Sequence, residues 1–544
     1  MRDELMRVYV CYVHPFLPLL DLGAFIKAVA SEDETCKISL ILFQAVMFAG
    51  ASFVDMSCLE SEGFQDRKQA CRALFRRLRL LYDADVEPDP TTLVKVLLLM
   101  TYQCDKPGDT KGRFYYLRIA VSLAADIGLN ESLTSGHHST KQLKMKRRLW
   151  WCCLMRENLL AMSERRTAGI STDISTVPIP HLDDLNDTDL SEALCRFYMP
   201  NSETDARILS KLCIQKIKLC VLIDRILDTL YELGHHQPLT TTGPAMLLIP
   251  KLSDSLTAEG IARDQELRQW YAELCSTEGS MVGQDHRRNG RVVGPHSAIL
   301  EMLFYTVVGM VHRPLLLHTQ SKESAANALQ DFSRQTLRLA AQRITDIANP
   351  LAEGNLIRFL PSVGVPALLA ASMQHVKDAL SANHTISAAA LMSLEQTMHS
   401  MVELRGIHCP VECTMGLFEF VRSRKINSQH TALGQESVPQ YPGERPRSFA
   451  TTSTRDSRTS LGHETLVYNN PDQSASVLLN QKHASTGAAL TATVDDDSTR
   501  HGRATGIQQE ELLNFRLPFA NIESLTEAVL SGVCDAADFN AFHS

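Results

Sequence analysis

This chain of 544 residues has little of three things: closely spaced cysteines, unbroken apolar runs and positive charge. Its fourteen cysteines include no C-x₂-C pair, so the usual framework of a closed zinc site is missing from them. They are scattered among apolar neighbours, the pattern of buried free thiols in a reducing compartment. The longest apolar run, residues 39–54, is interrupted by Gln44 and is short for a membrane span. The opening MRDELMRVYV mixes acids and bases and has no apolar core of a secretory signal. These features predict a soluble intracellular protein with no membrane partner. Lys and Arg total 54 against 62 Asp and Glu, a net charge of −8, so the chain lacks the positive field that nucleic acid attracts. Any contact with DNA has to be local or supplied by another module. There is no G-x-S-x-G, Walker loop, G-x-G-x-x-G or H-E-x-x-H, no fixed-period repeat and no sustained heptad pattern.

What is present is apolar residues, 44% of the chain, recurring at spacings of three and four from the start to about residue 425. Strand-like alternation is scarce, and the reading is all-α. Residues 68–82 place Cys71, Leu74, Phe75, Leu78 and Tyr82 on one helical face and Lys68, Arg72, Arg76 and Arg79 on another. Residues 91–104 are apolar nearly all round, as in a helix enclosed by others. Residues 114–127 form a further helix, with Gly128 placed to stop it in the left-handed conformation and Leu129 to supply the apolar contact after the stop. Later helices are expected over 207–233, 266–275, 295–312, 325–347, 363–380 and 386–405.

Composition shifts near Lys425. Residues 426–506 are rich in Ser, Thr, Gly, Asn, Gln and Pro and have too few large apolar residues to offset the entropy of ordering, so they are expected to be a disordered linker. Residues 507–544 regain Leu and Phe among Glu510, Glu511, Glu523, Glu527, Asp535 and Asp538, with Arg516 the one Lys or Arg. Such an acidic-aromatic segment suits folding into a partner's groove, with Phe515, Phe519 and Phe539 as candidate activation anchors.

Four stretches carry a family resemblance. YVCYVHPFLPLLDLGAF (residues 9–25) breaks a helix at His14 and Pro15, and RFYYLRIAVSLAADIGLNE (113–131) stops at Gly128 and Leu129. RRLWWCCLMRENLLAMSERRTAGISTDISTVPIP (147–180) joins the tandem Trp150 and Trp151 to a loop ending in Pro178 and Pro180, and HRPLLL (312–317) follows. In this order they resemble the fungal-specific transcription factor regulatory domain, the middle homology region of zinc-cluster regulators. The wording of the first two is similar to the cutinase transcription factor type.

The resemblance implies a large helical array over residues 1–425, a nuclear location, and control of a metabolic or secondary-metabolite gene set. Transcription machinery or a co-regulator would be the partner, and a small-molecule effector is expected. One departure is Glu164, Arg165, Arg166 and Thr167 standing where the family often has Gly-Arg-Pro. The other is the six-cysteine cluster through which the family holds two zinc ions and reads DNA, which is not in these residues. DNA and zinc are therefore expected only through a separate, missing or partner module. Two rival readings stay open: a stand-alone inhibitory or co-regulatory protein, and a helical-bundle Mg²⁺-dependent lyase using Asp183, Asp184 and Asp187, whose D-D-x-x-D spacing can offer hard oxygen ligands.

Blander readings apply to several clusters. The Lys68–Arg79 stripe and the Lys141, Lys144, Lys146, Arg147, Arg148 group are read as solvated surface. His408, Cys409 and Cys413 have no fourth ligand nearby, and the pairs His137–His138 and His235–His236 are read as exposed. No catalytic, cofactor-binding, metal-ligating or DNA-contacting residue is assigned, and the chain is read as a non-enzyme.

Overall fold

Acidic and amide side chains decide where several helices begin. Asp66 accepts the backbone N–H of Gln69 at 2.7 Å, Asp89 those of Thr91 and Thr92 with Pro90 at the first helical position, and Asn383 those of Thr385 and Ile386. The computed structural model describes residues 1–407 apart from 31–37, 104–110, 132–139, 171–174, 186, 198–201, 237–244, 252–254, 279–285, 318–323, 382 and 406. Residues 426–544, including Phe515, Phe519 and Phe539, lie outside the described residues, as do His137, His138, His408, Cys409, Cys413 and the side chains of His235, His236 and Asp187.

The described residues form fifteen α-helices. The first seven are α1 (Arg2–Val8), α2 (Leu22–Ala30), α3 (Leu40–Ala51), α4 (Met56–Glu60), α5 (Arg67–Asp83), α6 (Pro90–Met100) and α7 (Arg113–Asp126). Then come α8 (Thr140–Glu164), α9 (Asp187–Phe197), α10 (Ser202–Leu230), α11 (Leu256–Glu278) and α12 (Gly290–Leu317). The array ends with α13 (Ser324–Glu353), α14 (Gly364–Ala379) and α15 (His384–Leu404). The chain is all-α, as its periodicity predicts.

Helix α6 packs between α3 and α7, with Val94 and Val96 through Met100 wholly buried. Helix α10 joins the two halves by contacting α8, α9, α11 and α12, and α13, α14 and α15 pack on one another beyond α12. Residues 290–316 of α12 are long and apolar enough to cross a membrane, but 89% of the apolar window is buried inside the protein. In α5, Leu74 and Leu78 are buried, Cys71, Phe75 and Tyr82 pack at the core's margin, and Arg72 and Arg76 are exposed, matching the two faces read from sequence.

One element differs. The helix expected to run to Leu233 stops at Leu230, and the chain turns into β1 (Tyr231–His236), paired antiparallel with β2 (Ala245–Pro250). Tyr231 anchors the turn by donating its hydroxyl to the Met310 carbonyl at 2.7 Å. The outer edge of β2 is held by Arg165, whose carbonyl accepts the Leu248 N–H and whose guanidinium donates to the Leu248 carbonyl, both at 2.8 Å. A tertiary contact overrides a short helical pattern here.

Candidate functional site

The signature stretches meet around α8. Its tandem indoles are buried, Trp150 at 1% and Trp151 at 4% exposure, and both ring N–H groups find acceptors on the following loop. Trp150 donates to the Ser175 hydroxyl at 3.0 Å, and Trp151 to the carbonyls of Val177 (3.2 Å) and Pro178 (2.9 Å). The loop is thus pinned flat against the helix that precedes it, with Pro178 exposed and Pro180 buried. A buried indole needs such a partner for its N–H, and an extended loop needs donors for its carbonyls.

The His-Pro stretch is threaded through the core on side-chain donors. Helix α1 runs into a π-turn over Tyr9–Val13, closed by the His14 N–H to the Tyr9 carbonyl at 2.8 Å, and Pro15 bars further helix. The next carbonyls have few backbone donors, and three later helices supply them. His296 of α12 binds the Cys11 carbonyl at 2.9 Å, Lys216 of α10 donates to Phe16 at 2.7 Å, and Arg148 of α8 to Leu20 at 2.7 Å. The Cys152 thiol reaches the Pro18 carbonyl at 3.8 Å. The Lys216 ammonium also sits 3.8 Å from the centre of the Phe16 ring.

Burial dominates the electrostatics of this region. It lowers the pKa of Arg148 and Lys216, and pushes that of Arg156 down to about 10. It drives His14 well below the ordinary histidine range, with the nearby Arg148 charge adding to the effect, and pulls His296 down to about 4 against the Cys11 hydrogen bond. Cys11 is pushed up to about 12 by burial, so it stays a thiol, as do the equally enclosed Cys152, Cys153, Cys213 and Cys220.

One turn further along α8, Arg156 donates to the hydroxyl (2.8 Å) and carbonyl (2.9 Å) of Thr101 at the end of α6 and lies 4.8 Å from the Tyr102 ring centre. Glu157 accepts the Gly169 N–H at 2.6 Å and pairs with Arg118 of α7 at 3.3 Å, while burial raises its pKa. Arg118 also donates to the Thr167 carbonyl at 2.9 Å. A Cβ on Gly169 would stand 1.5 Å from the Arg118 guanidinium and 2.8 Å from the Glu157 carboxylate, so any larger residue here has to push the Arg118 side chain aside. Glu164 to Thr167, where the family often has Gly-Arg-Pro, therefore makes its own contacts: Arg165 adopts φ +53°, a glycine-like conformation, to reach β2.

Gly128 adopts φ +70°; its N–H bonds to Ala125 and that of Leu129 to Ala124, both at 2.9 Å, which closes α7 with a Schellman motif over the buried Leu129. His312, from HRPLLL, is 1% exposed and bridges Ser333 of α13 (3.1 Å) and Asp264 of α11 (3.3 Å).

Within the basic group before the tandem indoles, Arg148 corrects the surface reading while Lys141 stays exposed. Arg148 is 2% exposed. Lys141 pairs with Asp21 at 2.5 Å, Lys144 donates to the Asp183 carbonyl at 2.8 Å, and Arg147 pairs with the buried Asp184 at 2.7 Å. Lys141 and Arg147 thus pair with carboxylates of this chain, while Lys144 and Arg148 hold backbone carbonyls. The same Asp184 oxygen accepts the His181 N–H at 2.8 Å, while Asp183 is exposed. Among the described residues, no three His, Cys, Asp or Glu side chains are grouped to hold a metal ion.

The sequence reading placed Arg148 on the surface and passed over Arg156, Glu157, Lys216 and His296. The available signal was charge inside an apolar run: in LWWCCLMRENLLAM a helix this apolar is buried nearly all round, so Arg156 and Glu157 have to be buried too.

Comparison with known proteins agrees with these stretches. Residues 6–270 match the family described as Fungal specific transcription factor domain. The chain is 33% identical over 454 residues to Cutinase transcription factor 1 beta of Fusarium vanettenii, covering 80% of this chain and 51% of that protein. It is 32% identical to Transcription factor cpaR of Aspergillus oryzae, covering 69% and 63%, and 22% identical to the Acetamidase regulatory protein of Aspergillus fumigatus, covering 83% and 51%. The chain spans about half the length of the first of these relatives. No solved structure matches it. With the tandem indoles, the His-Pro turn and the Gly128 stop all seated in one helical body, residues 6–270 of this chain are a fungal specific transcription factor domain.

Proposed function

We propose that this chain regulates transcription in the nucleus and performs no reaction of its own. The observation that carries the reading is the match of residues 6–270 to the fungal regulatory domain, with relatives named as transcription factors along most of the chain. In this reading residues 1–425 are the control body, 426–506 a linker and 507–544 an activation segment that recruits transcription machinery through Phe515, Phe519 and Phe539. DNA is reached through a zinc-cluster module outside these 544 residues or on a partner, and zinc enters only there. The regulated genes form a metabolic or secondary-metabolite set, in keeping with relatives named for cutinase and acetamidase. A small-molecule effector acts by favouring one arrangement of the helical body over another.

The pairing of Asp184 with Arg147 weighs against the lyase reading, because that carboxylate is already engaged. The test is to fuse residues 507–544 to an unrelated DNA-binding domain. Reporter output well above that of an equal-length linker supports the activation segment, and output equal to the linker refutes it.

A further inference from the structure

We infer that the gap between α10 and α11 is a binding site for a small zwitterion, a free amino acid with an apolar side chain. The inference rests on the small-molecule effector reading and adds where that effector sits and which chemical class it belongs to.

The two helices leave a cavity of about 350 Å³, within the range of roughly 300–1,000 Å³ that small-molecule sites occupy. Lys218, Val221, Leu222 and Arg225 line it from one face of α10, at spacings of three and four residues. Glu266, Trp270 and Glu273 line it from α11 at the same spacings. One wall is thus basic at both ends and apolar between, and the other is acidic at both ends around an indole. Ile179, between Pro178 and Pro180, adds a further apolar contact.

Two polar atoms on these lining side chains have no partner. The chain has three tryptophans, and the indoles of Trp150 and Trp151 both find acceptors. Trp270 is 5% exposed, and its indole N–H is buried with no acceptor among the described residues. Glu266 gives one oxygen to Arg263 at 3.1 Å, while its other oxygen is buried with no donor. Lys218 meets no carboxylate among the described residues, although two of them line the same cavity. Buried polar atoms are nearly always partnered, so an unmet donor and an unmet acceptor on the walls of one cavity point to a ligand that supplies both.

The charges narrow its class. An anion without a positive group meets Glu266 and Glu273, and a cation without a negative group meets Lys218 and Arg225. An uncharged apolar molecule leaves the Trp270 N–H and the Glu266 oxygen buried and unpaired. A zwitterion meets all of these demands: its carboxylate accepts from Trp270 and Lys218, its ammonium donates to Glu266, and its side chain lies on Val221 and Leu222. Such a ligand bridges α11 to α10, which joins the two halves of the body, and to the loop that Trp151 holds at Pro178. It therefore favours the arrangement in which the three are close.

The test is calorimetric titration of the full chain with each common amino acid, then with the N-acetyl and amide derivatives of the tightest binder. Saturable binding that weakens at least tenfold when either the ammonium or the carboxylate is blocked supports the site, together with a loss of at least tenfold in Lys218→Met and in Glu266→Gln at unchanged melting temperature. No binding by any amino acid, equal binding of the blocked derivatives, or parent-like affinity in either variant overturns it. The derivatives are read on the parent chain, so the decision survives a variant that fails to fold.

Reporter output from the full chain on an unrelated DNA-binding domain separates the site from the effector reading. If the amino acid binds as described and output is the same with and without it, the effector reading fails and the site stands. If output responds to the amino acid equally in the parent and in Lys218→Met/Glu266→Gln, the effector reading stands and this site is overturned.

Discussion

The indole nitrogen of Trp151 lies 2.9 Å from the carbonyl oxygen of Pro178, joining the middle of α8 to the Pro-x-Pro loop that follows it. Trp150 makes the matching bond to Ser175 one residue earlier on the helix. Two adjacent residues of one helix thus hold three positions of a loop that forms no regular structure of its own. Trp151→Phe keeps most of the bulk and loses the donor, so it should cost about 1–3 kcal/mol in denaturant unfolding. Trp150→Ala or Trp151→Ala adds a cavity and should cost about 3–5 kcal/mol. A Trp151→Phe variant as stable as the parent would remove the hydrogen bonds from the account.

Thr101→Val tests the seat of Arg156. The substitution is nearly isosteric, removes the hydroxyl that accepts from the guanidinium, and leaves one carbonyl to hold a buried cation. A loss of about 1–3 kcal/mol in chemical denaturation is expected. No loss would mean that the Tyr102 ring and the carbonyl suffice.

Gly169→Ala should be as costly as a small core deletion, although the position is on a loop. The new methyl displaces the Arg118 guanidinium from Glu157 and from the Thr167 carbonyl. The expected cost is about 1–3 kcal/mol, with the loop 165–170 exchanging amide hydrogens faster. Wild-type exchange rates in the variant would show that Arg118 does not organise the loop.

Much of this body is legible in the sequence because its signals are local. The stop at Gly128 needs a left-handed residue followed by an apolar one, and Gly-Leu states both. The enclosed α6 announces itself by having no polar face. The buried cations are harder, because Arg147 and Arg148 are neighbours of one type with opposite surroundings. Arg147 meets Asp184, 37 residues on, and Arg148 meets Leu20, 128 residues back. Pairings set by tertiary approach leave no trace in spacing along one helix. The hairpin at Tyr231 is obscured for the same reason, since its edge partner is Arg165.

The buried histidines give the protein an acid limit. Burial holds His296 neutral, with its pKa about 4 against an ordinary 6.5, and burial sets His375 at about 4 too, the acids Asp378 and Asp346 opposing it. A depressed folded-state pKa contributes stability that is complete above pH 6.5 and is lost as pH falls towards 4. The difference of 6.5 − 4 = 2.5 corresponds to about 3 kcal/mol for each histidine at full protonation of the unfolded chain. His296→Gln, which keeps a side-chain N–H in reach of the Cys11 carbonyl, should flatten the fall in melting temperature between pH 6.5 and 4. A variant as acid-sensitive as the parent would shift the effect to other groups.

The most direct test of the central claim is reporter output from the full chain on an unrelated DNA-binding domain, compared with the same chain carrying Phe515→Ala, Phe519→Ala and Phe539→Ala. The account predicts that the parent activates transcription and that the triple substitution abolishes the output at an unchanged melting temperature. Output no greater than that of the DNA-binding domain alone, from the parent and from the isolated segment alike, would contradict it.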